Sequence, residues 1–571
     1  MADFVVVNTK LGRVQGEVFE TKNGFRANLF RNIPYGKPPI GELRFQKPQM
    51  VEPWTDILNA AEKYPSGAIS LQEEKKEGST SLEDLISYGV FSEDCLRLNI
   101  FAPSDPNEFP SGHPVMVYIH GGGFIGGASG QFGMKGLATY MVSKQVIVVT
   151  IQYRISILGF FCLDDNVARG NYGLWDQVLA LQWVKEHIDA FGGDPTNVTV
   201  YGESAGSAST SNLTISPHSS DLFHRAIMMS AATQEPWSFR DPQSVADHCR
   251  WVAEELGCTG SPQEILDKLR TIDAAKIEEV NSSKPCNDLS TMFNVGPVFD
   301  GEFFPESPLS MIATAPKKPV IAGVMEVEGI LWILHALNYP IPFFVDVDKF
   351  DYMEFEKKVD IIIRSHIFEN PKLAKELILY HYVHSQEGSM DDKDFLLRKY
   401  AELVGDELFV NGVCKESDCR RQNEWPVWFY NFQYFNPEKY IFQDFKYKAA
   451  FHGLELAFIM GHHEGEPDNM YETLNEEEVK LLETMTTLWT NFAKYGDPTP
   501  LPVEGVTWEK RSREKPLQYL NINLELEMRP FYRKSTYAFW NELMPKTQEE
   551  LPNLLGKRAK KSNGCFNCHF L

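Results

Sequence analysis

No stretch of this 571-residue chain approaches eighteen uncharged apolar residues, so no helix spanning a bilayer is expected. Its opening, M-A-D-F-V-V-V-N-T-K, lacks a basic segment followed by a long apolar one. A secretory signal is therefore not expected, and the cytoplasm is the expected compartment. Positive charge is in short supply: 55 Lys and Arg face 78 Asp and Glu, a formal net charge of −23. Phosphate backbones need a basic face, so nucleic acid is not an expected partner. The acidic excess reads as a solubility device. Cysteine is sparse. The nine residues Cys95, Cys162, Cys249, Cys258, Cys286, Cys414, Cys419, Cys565 and Cys568 are odd in number and scattered, unlike a disulfide framework. Cys414-x4-Cys419 has no second pair, and His462-His463 has no further ligands nearby. Neither a metal nor another cofactor is expected. The chain also has no internal repeat and no low-complexity linker before residue 551.

What the chain does have is apolar material, 43% hydrophobic and 12% aromatic, enough for a large core. Apolar runs recur at 115–119, 146–151, 225–230 and 319–324. Their uniform apolarity suits central strands covered on both faces. Between the second and third, Leu174, Val178, Leu181, Val184 and Ile188 follow helical spacing, and Gly192-Gly193 stop the pattern. Strands alternating with helices predict an α/β fold with a mostly parallel sheet. From about 240 to 540 helical patterns and irregular segments dominate. One domain over 1–550 with helical insertions, then a tail over 551–571, is the simplest organisation.

The chemistry is signalled at 193–206, G-D-P-T-N-V-T-V-Y-G-E-S-A-G. Asn197 to Tyr201 has strand composition, Ser207 to Leu213 suits a helix start, and Ser204 sits at the turn between them. Such a strained turn pushes a hydroxyl out at the sheet's end, beside a helix N-terminus that favours developing negative charge. Glycines two before and two after let strand and helix pass closely. By itself the pattern also fits a Gly-rich turn with a solvated Ser. A Ser nucleophile needs a base, a group that orients the base and donors for the oxyanion. Upstream, Tyr118-Ile119-His120-Gly121-Gly122-Gly123-Phe124 places glycines straight after a strand, where a backbone can approach a substrate without Cβ interference.

With these motifs in hand, the sequence resembles the type-B carboxylesterases, the cholinesterase-like branch of the α/β-hydrolases. The resemblance is carried by I-P-Y-G-K-P-P-I-G-E-L-R-F (33–45), S-E-D-C-L-R-L-N-I (92–100), H-G-G-G-F (120–124), F-G-G-D-P-T-N-V-T-V-Y-G-E-S-A-G (191–206), G-P-V-F-D-G-E-F-F-P (296–305), E-G (328–329) and F-H-G-L-E-L-A-F-I-M-G (451–461), in family order up to about residue 545. It implies an α/β-hydrolase fold with a large, mostly parallel central sheet flanked by helices, and hydrolysis of small-molecule carboxylic esters. It assigns Ser204 as nucleophile, His452 as general base and Glu328 as the acid that orients it. Glu326 competes two residues earlier, but the family's acid directly precedes Gly. Gly122, Gly123 and Ala205 match the oxyanion donors. Glu203 matches an acidic position that supports the imidazolium. Trp237 matches an acyl-pocket aromatic, and Phe293 is a candidate for the same pocket or for plain core. An acyltransferase using the same acyl-enzyme, and a catalytically inactive adhesion or scaffold relative, are the alternatives.

The sequence departs from that family in informative places. Cys95 matches a cysteine whose partner should lie about twenty-five residues upstream, yet 61–72 contains none; Cys258 likewise finds none in 264–270. Both bridges are expected to be missing, as a reducing compartment requires. The choline-stacking Trp before S-E-D-C is not found in S-L-E-D-L-I-S-Y-G-V-F (81–91), which argues against a choline ester. Arg97 stands where the family usually has an aromatic. The tail, G-K-R-A-K-K-S-N-G-C-F-N-C-H-F-L (556–571), carries Lys557, Arg558, Lys560 and Lys561 ahead of Cys565 and Cys568, with no acid after Glu550. Cys568 has C-a-a-X spacing for prenylation and Cys565 suits palmitoylation. Peripheral attachment to a cytosolic membrane face is the expectation; oligomeric state is not legible.

Overall fold

The uniformly apolar runs become the middle of one sheet. The computed structural model describes residues 3–61, 92–105, 109–130, 134–163, 166–284, 293–333, 343–363, 370–439, 446–461 and 474–547. Among them, 13 strands join a single sheet. Its N-terminal edge is antiparallel: β1 (Asp3–Asn8), β2 (Arg13–Glu20), β3 (Arg26–Pro34) and β5 (Arg97–Pro103), with the short β4 (Leu58–Asn59) beside β2. β5 pairs antiparallel with β7 (Ile147–Ile151), where the parallel block begins. From there the order is β7, β6 (His113–Ile119), β8 (Gly193–Glu203), β9 (Arg225–Met229), β10 (Val320–Met325), β11 (Val427–Phe432) and β12 (Tyr519–Ile522). An antiparallel β13 (Glu527–Arg529) closes the far edge.

Burial explains the composition of each strand. β6, β7, β10 and β11 are buried at every residue, which is why they read as unbroken apolar runs. The edge strand β1 is half exposed and alternates. The predicted helix forms over Tyr172–His187 and is buried on nearly every side. Its stop differs in detail from the Gly-Gly reading. Gly192 takes the left-handed conformation at φ 86°, whereas Gly193 already opposes His113 in the ladder and opens β8. β8 also outruns the N-V-T-V-Y core, because Gly202 and Glu203 pair with Met228 and Met229 of β9.

This strand order fixes where chemistry can occur. Ser204 follows β8, Glu328 lies three residues past β10, and His452 lies in the segment that follows β11. All three follow the carboxyl ends of parallel strands in one sheet, with β9 between the first two, the end where open α/β sheets build their sites. No described helix is long and apolar enough to cross a membrane.

Candidate active site

Ser204 joins β8 to the helix Ala205–Ile215 with φ 57° and ψ −124°. Its N–H donates to the Met229 carbonyl at 2.9 Å, so the turn is tied to the neighbouring strand β9. The close crossing explains the flanking glycine: a Cβ on Gly206 would lie 1.9 Å from the Ile119 carbonyl oxygen. Behind the hydroxyl stands the N-terminus of an eleven-residue helix, a favourable environment for negative charge.

The predicted partners converge on this hydroxyl. His452 Nε2 lies 2.9 Å from Ser204 Oγ, and His452 Nδ1 lies 2.8 Å from Glu328 Oε2. Glu328 is fully buried, and its other oxygen accepts the Met325 N–H at 2.7 Å. With an oxygen acceptor at Nδ1, that nitrogen carries the proton and Nε2 is left to accept from Ser204. Glu326, the alternative acid, does not reach the histidine. Its backbone N–H continues the ladder to the Phe432 carbonyl, and its side chain lies in the field of Arg533 and Arg398.

Two further carboxylates shape the electrostatics. Glu203 Oε1 lies 3.2 Å from His452 Nε2. Burial pushes Glu203 up to about 7, against the pull of His452 and with help from Glu328. For His452, burial works downward, but the charge of Glu203 and the hydrogen bond and charge of Glu328 outweigh it, so its pKa rises. Glu455, which the sequence reading missed, is fully buried. Burial, then the charges of Glu203 and Glu328, raise its pKa well above the usual carboxylate value, and the Tyr430 hydroxyl lies 3.5 Å from its Oε1. The signal was present in H-G-L-E, where Glu455 follows His452 by three residues.

The glycine loop lies against Ser204: a Cβ on Gly121 would sit 3.1 Å from Ser204 Cβ. Gly122 and Gly123 have φ of 108° and 62°, and the Gly122 carbonyl accepts the N–H groups of Ile125 and Gly126 at 3.0 and 2.9 Å. His120 anchors the loop. Its Nδ1–H donates to the Gly121 carbonyl at 2.9 Å, and Gln152 donates to its Nε2 at 3.1 Å. Burial pushes this imidazole down to about 4, so it stays neutral. Ala205 is buried at the first position of the elbow helix.

Trp237 and Phe293 belong to one aromatic wall, with ring centroids 6.1 Å apart. Phe293 covers Gly123 so closely that a Cβ there would meet its ring at 2.9 Å. Trp237 donates its indole N–H to the Leu408 carbonyl at 2.7 Å. Two members went unseen in the sequence: Trp332, and Phe409, whose ring lies 4.2 Å from that of His452. Nothing in the local pattern marks Phe409. Arg97, unexplained by sequence, pairs with Asp94 at 2.6 Å. The choline-platform stretch 81–91 and the cysteines Cys565 and Cys568 lie outside the described residues. Among those described, no His, Cys, Asp and Glu group has the arrangement of a metal site.

A serine elbow on a large, mostly parallel sheet with helices packed against it defines the α/β-hydrolase class. Residues 3–540 match the profile of the Carboxylesterase family. The chain is 35% identical to Esterase cest-33 of Caenorhabditis elegans over 93% of both proteins. It is 34% identical to Carboxylesterase 5A of Mus musculus, over 94% of this chain and 89% of that one. Gut esterase 1 of Caenorhabditis briggsae shares 31% identity over 94% of this chain and 92% of its own. The chain therefore belongs to the carboxylesterase family, a family of carboxylic ester hydrolases.

Proposed function

We propose that the protein is a serine esterase working through a Ser204–His452–Glu328 triad and an acyl-enzyme. The observation that carries this reading is the unbroken hydrogen-bonded line from Ser204 Oγ through His452 to the buried Glu328. In the forward step Ser204 Oγ bonds to the ester carbonyl carbon as its proton passes to His452 Nε2. The carbonyl oxygen becomes an oxyanion, received by the N–H groups of Gly122, Gly123 and Ala205. Collapse breaks the bond to the alcohol oxygen, which leaves with the proton from His452. Water then repeats the sequence on the acyl-enzyme, releasing the carboxylic acid and restoring Ser204. Glu203 favours the transient imidazolium. Trp237, Phe293, Trp332 and Phe409 form the apolar boundary that a small-molecule ester meets.

The test is Ser204→Ala against wild type, with short-chain aryl esters and a fluorophosphonate probe. Hydrolysis and labelling both vanish in the variant, and His452→Ala falls to a similar floor, because triad members act as a unit. Labelling that persists in Ser204→Ala would sink the assignment. Product analysis in the presence of excess alcohol separates hydrolysis from acyl transfer, since transfer yields a new ester in place of the acid.

Other features support a cytosolic placement. Cys95, Cys249, Cys258 and Cys414 are buried as free thiols, which suits a reducing cytosol. Beyond the described residues, the basic run Lys557–Lys561 precedes Cys565 and Cys568. A lipid on Cys568, with Cys565 as second site, would combine with this cluster at an anionic cytosolic leaflet. Fractionation of an N-terminally tagged protein tests it: Cys568→Ser shifts the protein to the soluble fraction, and an unchanged distribution removes the anchor.

A further inference from the structure

Behind the glycine loop lies a buried serine that the reaction does not use. Ser156 has φ 53° and is fully buried. Glycine enters that left-handed region freely and serine does not. Its backbone N–H donates to the Phe124 carbonyl at 2.6 Å. Phe124 adjoins Gly123 in the loop and is itself at φ 63°. The short helix that Ser156 opens also supplies Phe160, whose ring meets that of Phe124 edge-on at 5.2 Å.

The side chain of Ser156 is clamped from a separate helix, Ala274–Ser283. Its hydroxyl donates to Glu278 Oε1 at 2.7 Å and accepts from Asn281 Nδ2 at 3.1 Å. Asn281 also donates to Glu278 Oε1 at 2.9 Å, and His248 Nε2–H donates to Asn281 Oδ1 at 2.8 Å. Ser282 adds a donor to the same Glu278 oxygen at 3.2 Å. Glu278, Asn281 and His248 are buried. A disfavoured backbone conformation persists only where its surroundings over-determine it, and such sites cluster around function.

We propose that Ser156 is a positioning residue for the oxyanion loop: the clamp from Glu278 and Asn281 holds its backbone where the N–H fixes Phe124 and hence the neighbouring donor of Gly123. The proposal rests on the esterase reading above. Its effect belongs to the transition state, because a ground-state carbonyl depends far less on these donors than the developing oxyanion does.

The test measures kcat and KM for a short-chain aryl ester, normalised to the sites titrated by a fluorophosphonate, together with thermal midpoints. Ser156→Ala keeps the Cβ that disfavours φ 53° but loses the clamp that holds the backbone there. It is expected to lose about tenfold or more in kcat per titrated site, a fraction of the roughly 10²–10³ that an outright lost donor costs, with KM changed by less than about twofold. Asn281→Ala moves kcat in the same direction. Ser156→Gly relieves the strain and recovers part of the loss, turning over at least about threefold faster than Ser156→Ala. Variants that differ only in thermal midpoint, with wild-type kcat per site, overturn the proposal by reducing Ser156 to a structural role. Equal losses in Ser156→Ala and Ser156→Gly overturn it too. A wild type whose titrated serine is not Ser204 defeats the esterase reading instead, and so separates the two failures.

Discussion

Glu328→Gln changes almost no volume, yet the hydrogen-bond pattern around it dictates a severe result. One carboxylate oxygen of Glu328 accepts the Met325 N–H at 2.7 Å, and the other faces His452 Nδ1 at 2.8 Å. An amide has only one acceptor oxygen. The Met325 N–H is a fixed donor, so the introduced carbonyl must turn toward it, and the NH2 group must face His452. Nδ1 then has to accept, the ring proton moves to Nε2, and the nitrogen facing Ser204 can no longer take its proton. The lost charge adds to this. Unit charges roughly 4 Å apart interact by about 4 kcal/mol at an effective dielectric near 20, a factor of about 10³ in rate. With the tautomer reversed as well, a loss of about 10⁴ in kcat is expected. Both hydrogen bonds survive in altered form, so the circular dichroism spectrum and thermal midpoint should stay close to wild type. Turnover of a short-chain aryl ester reads the effect, with Glu326→Gln measured beside it. A loss below about tenfold in Glu328→Gln, or a larger one in Glu326→Gln, would refute this account of the acid.

Three further outcomes follow from the same structure. His452 must be neutral to act as base, and its pKa is raised, so activity falls as pH drops through that raised value. The acid limb of kcat/KM should therefore lie above the ordinary histidine value of 6.5, and Glu203→Gln should move it to lower pH; a limb that stays in place contradicts the role given to Glu203. Gly206→Ala would set a methyl 1.9 Å from the Ile119 carbonyl oxygen, an overpacking expected to cost about 3 kcal/mol or more. Urea denaturation checks it, and an unchanged midpoint means that strand and helix do not cross as described. Cys95 and Cys258 should resist alkylation in the native protein and react once it unfolds, because both are buried and burial pushes their thiols upward. Mass spectrometry without reductant reads this, and an intramolecular disulfide at either residue overturns it.

Much of the candidate site could be proposed from the chain itself. Gly202, Ser204 and Gly206 announce the elbow because a strained turn of a few residues restricts residue type locally. The same holds for Gly122 and Gly123, whose positive φ leaves little choice of side chain. The apolar runs of β6, β7, β10 and β11 announce a sheet covered on both faces, since burial of a strand is written into every residue of it. The order Ser204, Glu328, His452 could also be read, with family resemblance deciding which glutamate and which histidine.

Other features required the tertiary structure. The contacts of His452 span 124 residues to Glu328 and 248 to Ser204, distances over which local pattern carries no information. They exist because β8, β9, β10 and β11 lie side by side in the sheet. Only that order turns Glu326 into the ladder while Glu328 faces the histidine. It also buries Glu203 and Glu455 within the field of Glu328, so that burial and neighbouring charge raise the pKa of both. Phe409 and Ser156 carry no sequence mark at all. One becomes the neighbour of His452 through packing. The other becomes the anchor of Phe124 because a helix more than a hundred residues later supplies the Glu278 and Asn281 that hold it.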